Sequence, residues 1–378
     1  MMTLSIRHRR WLGGVFAAAL CCLSALPVEA AASRAAKPAA KQRTVRKATK
    51  AKVTRTTTRK ASSAKPAVRK ATPAKASTTS SAARRRAIAR SRAAAAAREA
   101  RALATPRFKL DEAGREVPAP RAAAAIIYDP ETNEVLFEEH GLELRSIASI
   151  TKVMTSLVAL ESFVDHGQVV KVTRPDVTRA STTYLRAGYD ISVDELMHLL
   201  LIGSDNAAAR VLARTSPAGS EGFVARMNEK ARELGLTQTH FEDPSGLFSG
   251  NVSSAFDIAR LISYAAADER IGSIMRKAEF NFVPGKRNVH VNSTNRLVRQ
   301  GELDVLGGKT GFISSSGYCL ATLVRLPQTG RQVAMVVLGA RSNAARFAET
   351  RHLFNWLNAS STATAAGEAL QQQQQQQQ

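Results

Sequence analysis

A serine and a lysine three residues apart, Ser149 and Lys152, sit in the stretch IASITKVMT, among apolar and small residues. Residues at i and i+3 share one face of a helix, so a hydroxyl and an amine would project side by side. In a first helical turn, the unpaired backbone N–H groups and the helix dipole create a positive field. That field favours an alkoxide on Ser149. Together with burial, it disfavours the ammonium form of Lys152. A lysine driven toward neutrality is a general base for a serine nucleophile. The tetrapeptide S-x-x-K alone does not establish this, because a second copy, Ser62 to Lys65, stands in a stretch with no globular texture.

Two further pieces bear on the same chemistry. Ser204-Asp205-Asn206 follows Ile202-Gly203 at the gap between two expected helices, where polar side chains can point into a cleft. Lys309-Thr310-Gly311 opens a late strand, with Gly307 and Gly308 before it. Glycines there let a ligand backbone approach the sheet edge. The seven histidines show no ligand spacing, and no G-x-S-x-G opens a Ser-His-Asp arrangement. The expectation is therefore a serine nucleophile with a lysine as its base, with no metal and no cofactor.

These residues need a scaffold, and only part of the chain has the composition to build one. Residues 1–30 read as a secretory signal: Arg7, Arg9 and Arg10, an apolar run from Leu12 to Leu26, then Val28-Glu29-Ala30 at the cleavage position. An uncleaved anchor helix is the alternative. The net charge of +23 is concentrated between Ser33 and Lys109, where 24 Lys/Arg meet one acid, Glu99. Residues 31–120 therefore read as a disordered basic spacer, rich in Ala, Lys and Arg, with some helix over 93–104. Its apolar content is too low to offset the entropy of ordering. In an exported protein the polyanions available to it are anionic envelope surfaces, and no nucleic-acid partner is expected. Residues 359–378 read as a disordered Gln-rich tail. With Cys21 and Cys22 in the signal, Cys319 is the single mature cysteine, placed in the apolar run YCLATLV as a small buried hydrophobe.

Residues 121–358 have ordinary globular texture, enough for one domain. RAAAAIIYD and NEVLFEE are strand-like runs around a turn at Asp129-Pro130-Glu131-Thr132. A helix follows from the S-x-x-K to about residue 164. Ser192-Val193-Asp194-Glu195 is a capping box opening another. Further helices are expected over 206–214, 221–234 and from Ser254 to 267. Strands are expected over 278–282, 289–291, 317–325 and 332–339, with a closing amphipathic helix over 344–357. The first strands can complete a sheet only with the late ones. The fold class is α+β: an antiparallel sheet flanked by helices, with a helical subdomain.

S-x-x-K, S-D-N and K-T-G, in that order, are the set shared by class A β-lactamases and penicillin-binding proteins, and the fold implied is β-lactamase/transpeptidase-like. IASITKVMT, SDNAAARVLA, MNEKARELGLTQTHFEDPSGL and GGKTGF together resemble the low-molecular-mass D,D-peptidases of the S11 serine peptidase family, across residues 121–358. Within the family they are most similar to the penicillin-binding protein 7 type, the D-alanyl-D-alanine endopeptidases. The resemblance implies Ser149 as the acylated nucleophile and Lys152 as its base. Ser204 would relay a proton to the leaving amine, Asn206 orient the substrate amide, and Lys309 keep the site positive. Thr310 would bind the substrate's carboxylate region. Gly311 leads to Phe312, whose N–H would form an oxyanion hole with that of Ser149. Arg341, ending the strand AMVVLGAR, either reaches the same cleft or is a solvated strand-end arginine.

The implied substrates are peptidoglycan stem peptides, with β-lactams as acylating inhibitors and the periplasm as the compartment. A carboxypeptidase trimming terminal D-Ala is the alternative. Members of that kind often carry a second β-rich domain and an amphipathic anchor after K-T-G; here the expected domain ends about fifty residues past Lys309, at residue 358, which favours the endopeptidase. A class A-like β-lactamase would need a deacylating glutamate, and Glu242, followed by DPSG, lacks the expected asparagine. A non-catalytic envelope-binding protein is the remaining class.

Overall fold

The structure, a computed structural model, describes residues 78–376; the expected signal and most of the basic segment lie outside the described residues. The expectation of no fixed structure up to residue 120 is corrected over its last part. Helix α1 spans Thr78–Ala104, longer than the 93–104 expected, because alanine is the strongest helix former. An antiparallel ribbon then pairs Phe108–Leu110 with Glu116–Pro118. Its turn is tied by Asp111, whose carboxylate accepts from Ala113 N at 3.0 Å and Arg115 N at 2.8 Å. Leu103 and Val117 pack against a buried apolar cluster, and Trp356 Nε1 donates to the Glu116 carbonyl at 3.2 Å. The averaged composition of the segment concealed Leu103 and Val117 as anchors.

Five strands form the central sheet: β1 (Ala124–Asp129), β2 (Glu134–Glu139), β3 (Asp304–Ile313), β4 (Gly317–Arg325) and β5 (Gln332–Ala340). They lie antiparallel in the order β3-β4-β5-β1-β2. The early hairpin thus joins the late strands through β5 and β1, where Ala334 faces Tyr128 and Leu338 faces Ala124. Side chains alternate faces along a strand. Ala124, Ile126 and Tyr128 enter one apolar cluster with Ala334, Val336 and Leu338. Ala125 and Ile127 enter another with Val333, Met335 and Val337. A strand apolar at every position is what a sheet covered on both faces requires.

The helical part occupies the first of these clusters. It contains α2 (Thr151–Ser162), α3 (Val193–Leu201), α4 (Asn206–Thr215), α5 (Gly219–Glu233) and α6 (Ala255–Ala267). The Ser192 capping box is present: Ser192 Oγ accepts from Glu195 N at 3.1 Å, and the Glu195 carboxylate accepts from Ser192 N at 2.9 Å. The second cluster is closed by α7 (Asn343–Gln376) through Phe347, Leu353, Phe354 and Leu357. Helix α7 begins where expected and continues as backbone through the expected tail. Cys319 is buried in β4. No described helix is long and apolar enough to cross a membrane.

Candidate active site

The chain enters α2 through a 3-10 turn, Ala148–Ile150, that carries Ser149. Lys152 follows in the first turn of α2, so hydroxyl and amine share a face as the spacing required. Lys152 Nζ donates to Ser149 Oγ at 2.9 Å, to Asn206 Oδ1 at 2.6 Å and to the Ser245 carbonyl at 2.5 Å. The side chain is fully buried. Burial is the largest influence on it, pulling its pKa down to about 7; Asp243 and Asp205 pull the other way. Near neutral pH a large share of the amine is therefore unprotonated and within reach of the serine proton.

The S-D-N segment is the turn between α3 and α4. Ser204 adopts a left-handed backbone with φ of +58°, a conformation that costs about 1 kcal/mol or more in a non-glycine residue. The turn is pinned by Asp205, buried at the α4 N-cap. Its carboxylate accepts from Ala208 N at 2.9 Å, Tyr184 N at 2.6 Å and Thr183 Oγ1 at 3.0 Å. Asp205 is thus structural. Asn206 uses Oδ1 on Lys152 and donates Nδ2 to the Ala180 carbonyl at 2.6 Å, so its amide first holds the amine in place.

K-T-G lies on β3, which forms one edge of the sheet. Lys309 Nζ donates to Ser204 Oγ at 2.8 Å and to the Thr310 carbonyl at 2.9 Å. Burial drives its pKa well below the ordinary lysine value, with the charges of Lys152 and Arg346 acting in the same direction. Gly311 is required by packing: a Cβ there would lie 2.7 Å from the Ile147 carbonyl and 3.2 Å from Ser149 N. Bare backbone at this point lets β3 lie against the nucleophile turn. Ser149, Ser204, Asn206, Thr310, Gly311 and Phe312 line one cleft of about 400 Å³. The structure thus gathers all the motif residues that the sequence singled out. Phe312 is half exposed at its rim and stacks on Tyr318 with ring centroids 4.2 Å apart.

Arg341 is the exception. It lines a separate cavity of about 380 Å³ with Glu99, Arg121 and Glu349, because β5 ends at Ala340 and the chain leaves toward α1 and α7. Arg346, in the first turns of α7, lines the cleft instead. It donates to the Gly311 carbonyl at 2.9 Å and the Cys319 carbonyl at 3.0 Å. It went unnoticed because its position inside an amphipathic helix reads as a solvated face. Thr294 was also missed; its hydroxyl accepts from Thr310 Oγ1 at 2.6 Å. So was the Pro244-Ser245-Gly246 turn that faces Lys152. Glu242 borders a different cavity, with Arg210 and Glu221.

The family model for peptidase S11, D-alanyl-D-alanine carboxypeptidase, matches residues 111–342. A D-alanyl-D-alanine endopeptidase of Haemophilus influenzae is 32% identical over 66% of this chain and 87% of that protein. A D-alanyl-D-alanine carboxypeptidase of Escherichia coli, DacC, is 32% identical over 64% of this chain and 62% of that protein. The crystal structure of the Streptomyces K15 DD-transpeptidase superposes with a TM-score of 0.60 at 24% identity. It covers 63% of this chain and 97% of that one, and so agrees with the expected fold.

Proposed function

Because this chain belongs to the S11 family of serine peptidases, we propose that it is a D-alanyl-D-alanine endopeptidase acting on peptidoglycan cross-links. The observation that carries the reading is the 2.9 Å contact between a buried, easily deprotonated Lys152 and Ser149 Oγ. Lys152 takes the serine proton as Oγ attacks the D-Ala carbonyl. The oxyanion develops toward the backbone N–H groups of Ser149 and Phe312. Ser204, held by Lys309, passes a proton to the leaving amine as the C–N bond breaks. The resulting ester on Ser149 is then hydrolysed by water. The positive charge of Arg346, the Lys309 amine and the hydroxyl of Thr310 favour a substrate with a free carboxylate beside the scissile bond. β-Lactams acylate the same serine.

The endopeptidase reading is supported by the Haemophilus relative, which is matched over a larger share of its length than the carboxypeptidase DacC. The expected signal peptide, the periplasmic location and attachment of the basic spacer to anionic envelope surfaces belong to the same proposal. Fluorescent penicillin should label the wild type and leave Ser149→Ala unlabelled. Purified cross-linked muropeptide dimers should then be converted to monomers. Release of free D-Ala from uncross-linked pentapeptide, with dimers left whole, would instead identify the carboxypeptidase.

A further inference from the structure

The turn that receives the Lys152 proton donor is unusually tightly held. The Ser245 carbonyl lies 2.5 Å from Lys152 Nζ and 3.4 Å from Ser149 Oγ. Gly246 beside it has φ of +77°, and a Cβ there would fall 2.0 Å from the Ala148 carbonyl. The turn therefore presses on the residue preceding the nucleophile. Pro244 is fixed to α2 through its carbonyl, which accepts from Thr155 Oγ1 at 2.6 Å. What organises the turn is one carboxylate, that of Asp243. It accepts from Ser245 N at 2.9 Å, Phe248 N at 3.1 Å and Asn251 Nδ2 at 2.5 Å, and from the Ser245 hydroxyl. The Asn251 backbone carbonyl in turn accepts from Ile147 N at 3.0 Å, which closes a loop of contacts around Ser149.

We infer that Asp243 is a positioning residue for acylation: its carboxylate fixes the Ser245 carbonyl, and through it the aim of the Lys152 amine at Ser149 Oγ. The inference rests on the acyl-transfer reading above. The Asp243 carboxylate hydrogen-bonds neither Ser149 nor Lys152; it acts through the Ser245 peptide group. Its charge has a second effect. Asp243 from this turn and Asp205 at the α4 N-cap favour the ammonium form of Lys152, while Arg210 on α4 opposes it; Lys309 on β3 is itself pulled down by the charge of Lys152. Burial tends to raise the Asp243 pKa, but its hydrogen bonds from Ser245, Phe248 and Asn251 outweigh this and hold it below the ordinary value. Asp243 is therefore ionised wherever the enzyme works. It restrains an amine that burial would otherwise leave neutral at still lower pH.

The test is the rate of fluorescent-penicillin acylation of the full chain, measured from pH 5 to 9. In Asp243→Asn the turn loses an anionic acceptor, so the plateau rate should fall about tenfold or more. The same change removes a negative charge facing Lys152, so the acid limb should move to lower pH by at least about half a unit. A fall in plateau with the acid limb unmoved would indicate general loosening and overturn the inference; so would an unchanged profile. Ser245→Ala guards against misfolding of the first variant. It removes one hydrogen bond to Asp243 while keeping the charge, and should lower the plateau several-fold with the acid limb in place. An unaltered plateau in Ser245→Ala also overturns the inference. Labelling that persists in Ser149→Ala would instead remove the acyl-transfer reading, an outcome separate from either variant's profile.

Discussion

Lys309 Nζ donates a 2.8 Å hydrogen bond to Ser204 Oγ, joining side chains 105 positions apart. One comes from an edge strand of the sheet, the other from a turn in the helical part. The contact ties the two walls of the cleft together and orients the hydroxyl assigned to the leaving amine. Replacing Lys309 by alanine should lower the acylation rate by roughly 10²–10³-fold. Stopped-flow penicillin labelling would read it. A loss under tenfold would mean that Ser204 needs no such orientation.

The acid limb of wild-type acylation should fall near pH 7. Lys152 acts as base only when neutral, and its pKa is lowered to about 7. Below that value the rate should drop about tenfold per pH unit as the amine becomes protonated. Lys152→Arg, which keeps a cation but cannot deprotonate, should be inactive at every pH up to 9.

Arg341 and Arg346 separate cleanly by position. Arg346 lines the cleft and holds the Gly311 carbonyl, so Arg346→Ala should reduce kcat/KM on muropeptides by roughly 10–100-fold. Arg341 borders another cavity, so Arg341→Ala should leave kcat/KM within about twofold. Muropeptide kinetics on the two variants side by side would check both.

Gly246→Ala tests the pressure of the turn on the nucleophile. The added Cβ would meet the Ala148 carbonyl in a left-handed backbone. Urea unfolding should show a loss of about 2–4 kcal/mol, with acylation impaired in the protein that remains folded.

Glu242→Gln should not change the lifetime of the penicilloyl ester. Its carboxylate faces Gly250, not Ser149; a Cβ on Gly250 would lie within about 2.0 Å of it. Mass-spectrometric decay of the adduct in wild type and variant would show equal half-lives. A prolonged half-life in the variant would assign Glu242 a deacylating role.

Much of this was legible in sequence because it rests on local rules. The unbroken apolar runs in AAIIYD and QVAMVVLGA report a doubly covered sheet, and Ser192 with Glu195 marks a helix start. The three motifs were legible because glycines and polar residues interrupt apolar runs where a cleft must open. What escaped notice depends on tertiary placement. Arg346 has the spacing of a solvated helix residue, and only the approach of β3 and β4 makes it part of the cleft. The Ser245 carbonyl carries no side-chain signal at all. The N-terminal half of α1 and the ribbon after it were hidden because Leu103 and Val117 act one at a time within polar sequence.

The pairing of β5 with β1 sets an order of events for the growing chain. The first strand of the domain emerges with no partner beyond its own hairpin, and its permanent neighbour is synthesised roughly two hundred residues later. Until then its apolar faces stay available to other chains or to holding factors. The nucleophile turn, packed against β3, is likewise assembled only after residues 304–313 have been made. Products stalled before β3 would therefore carry Ser149 and Lys152 without any power to form an ester, so bond-cutting activity is withheld until that strand has joined the sheet.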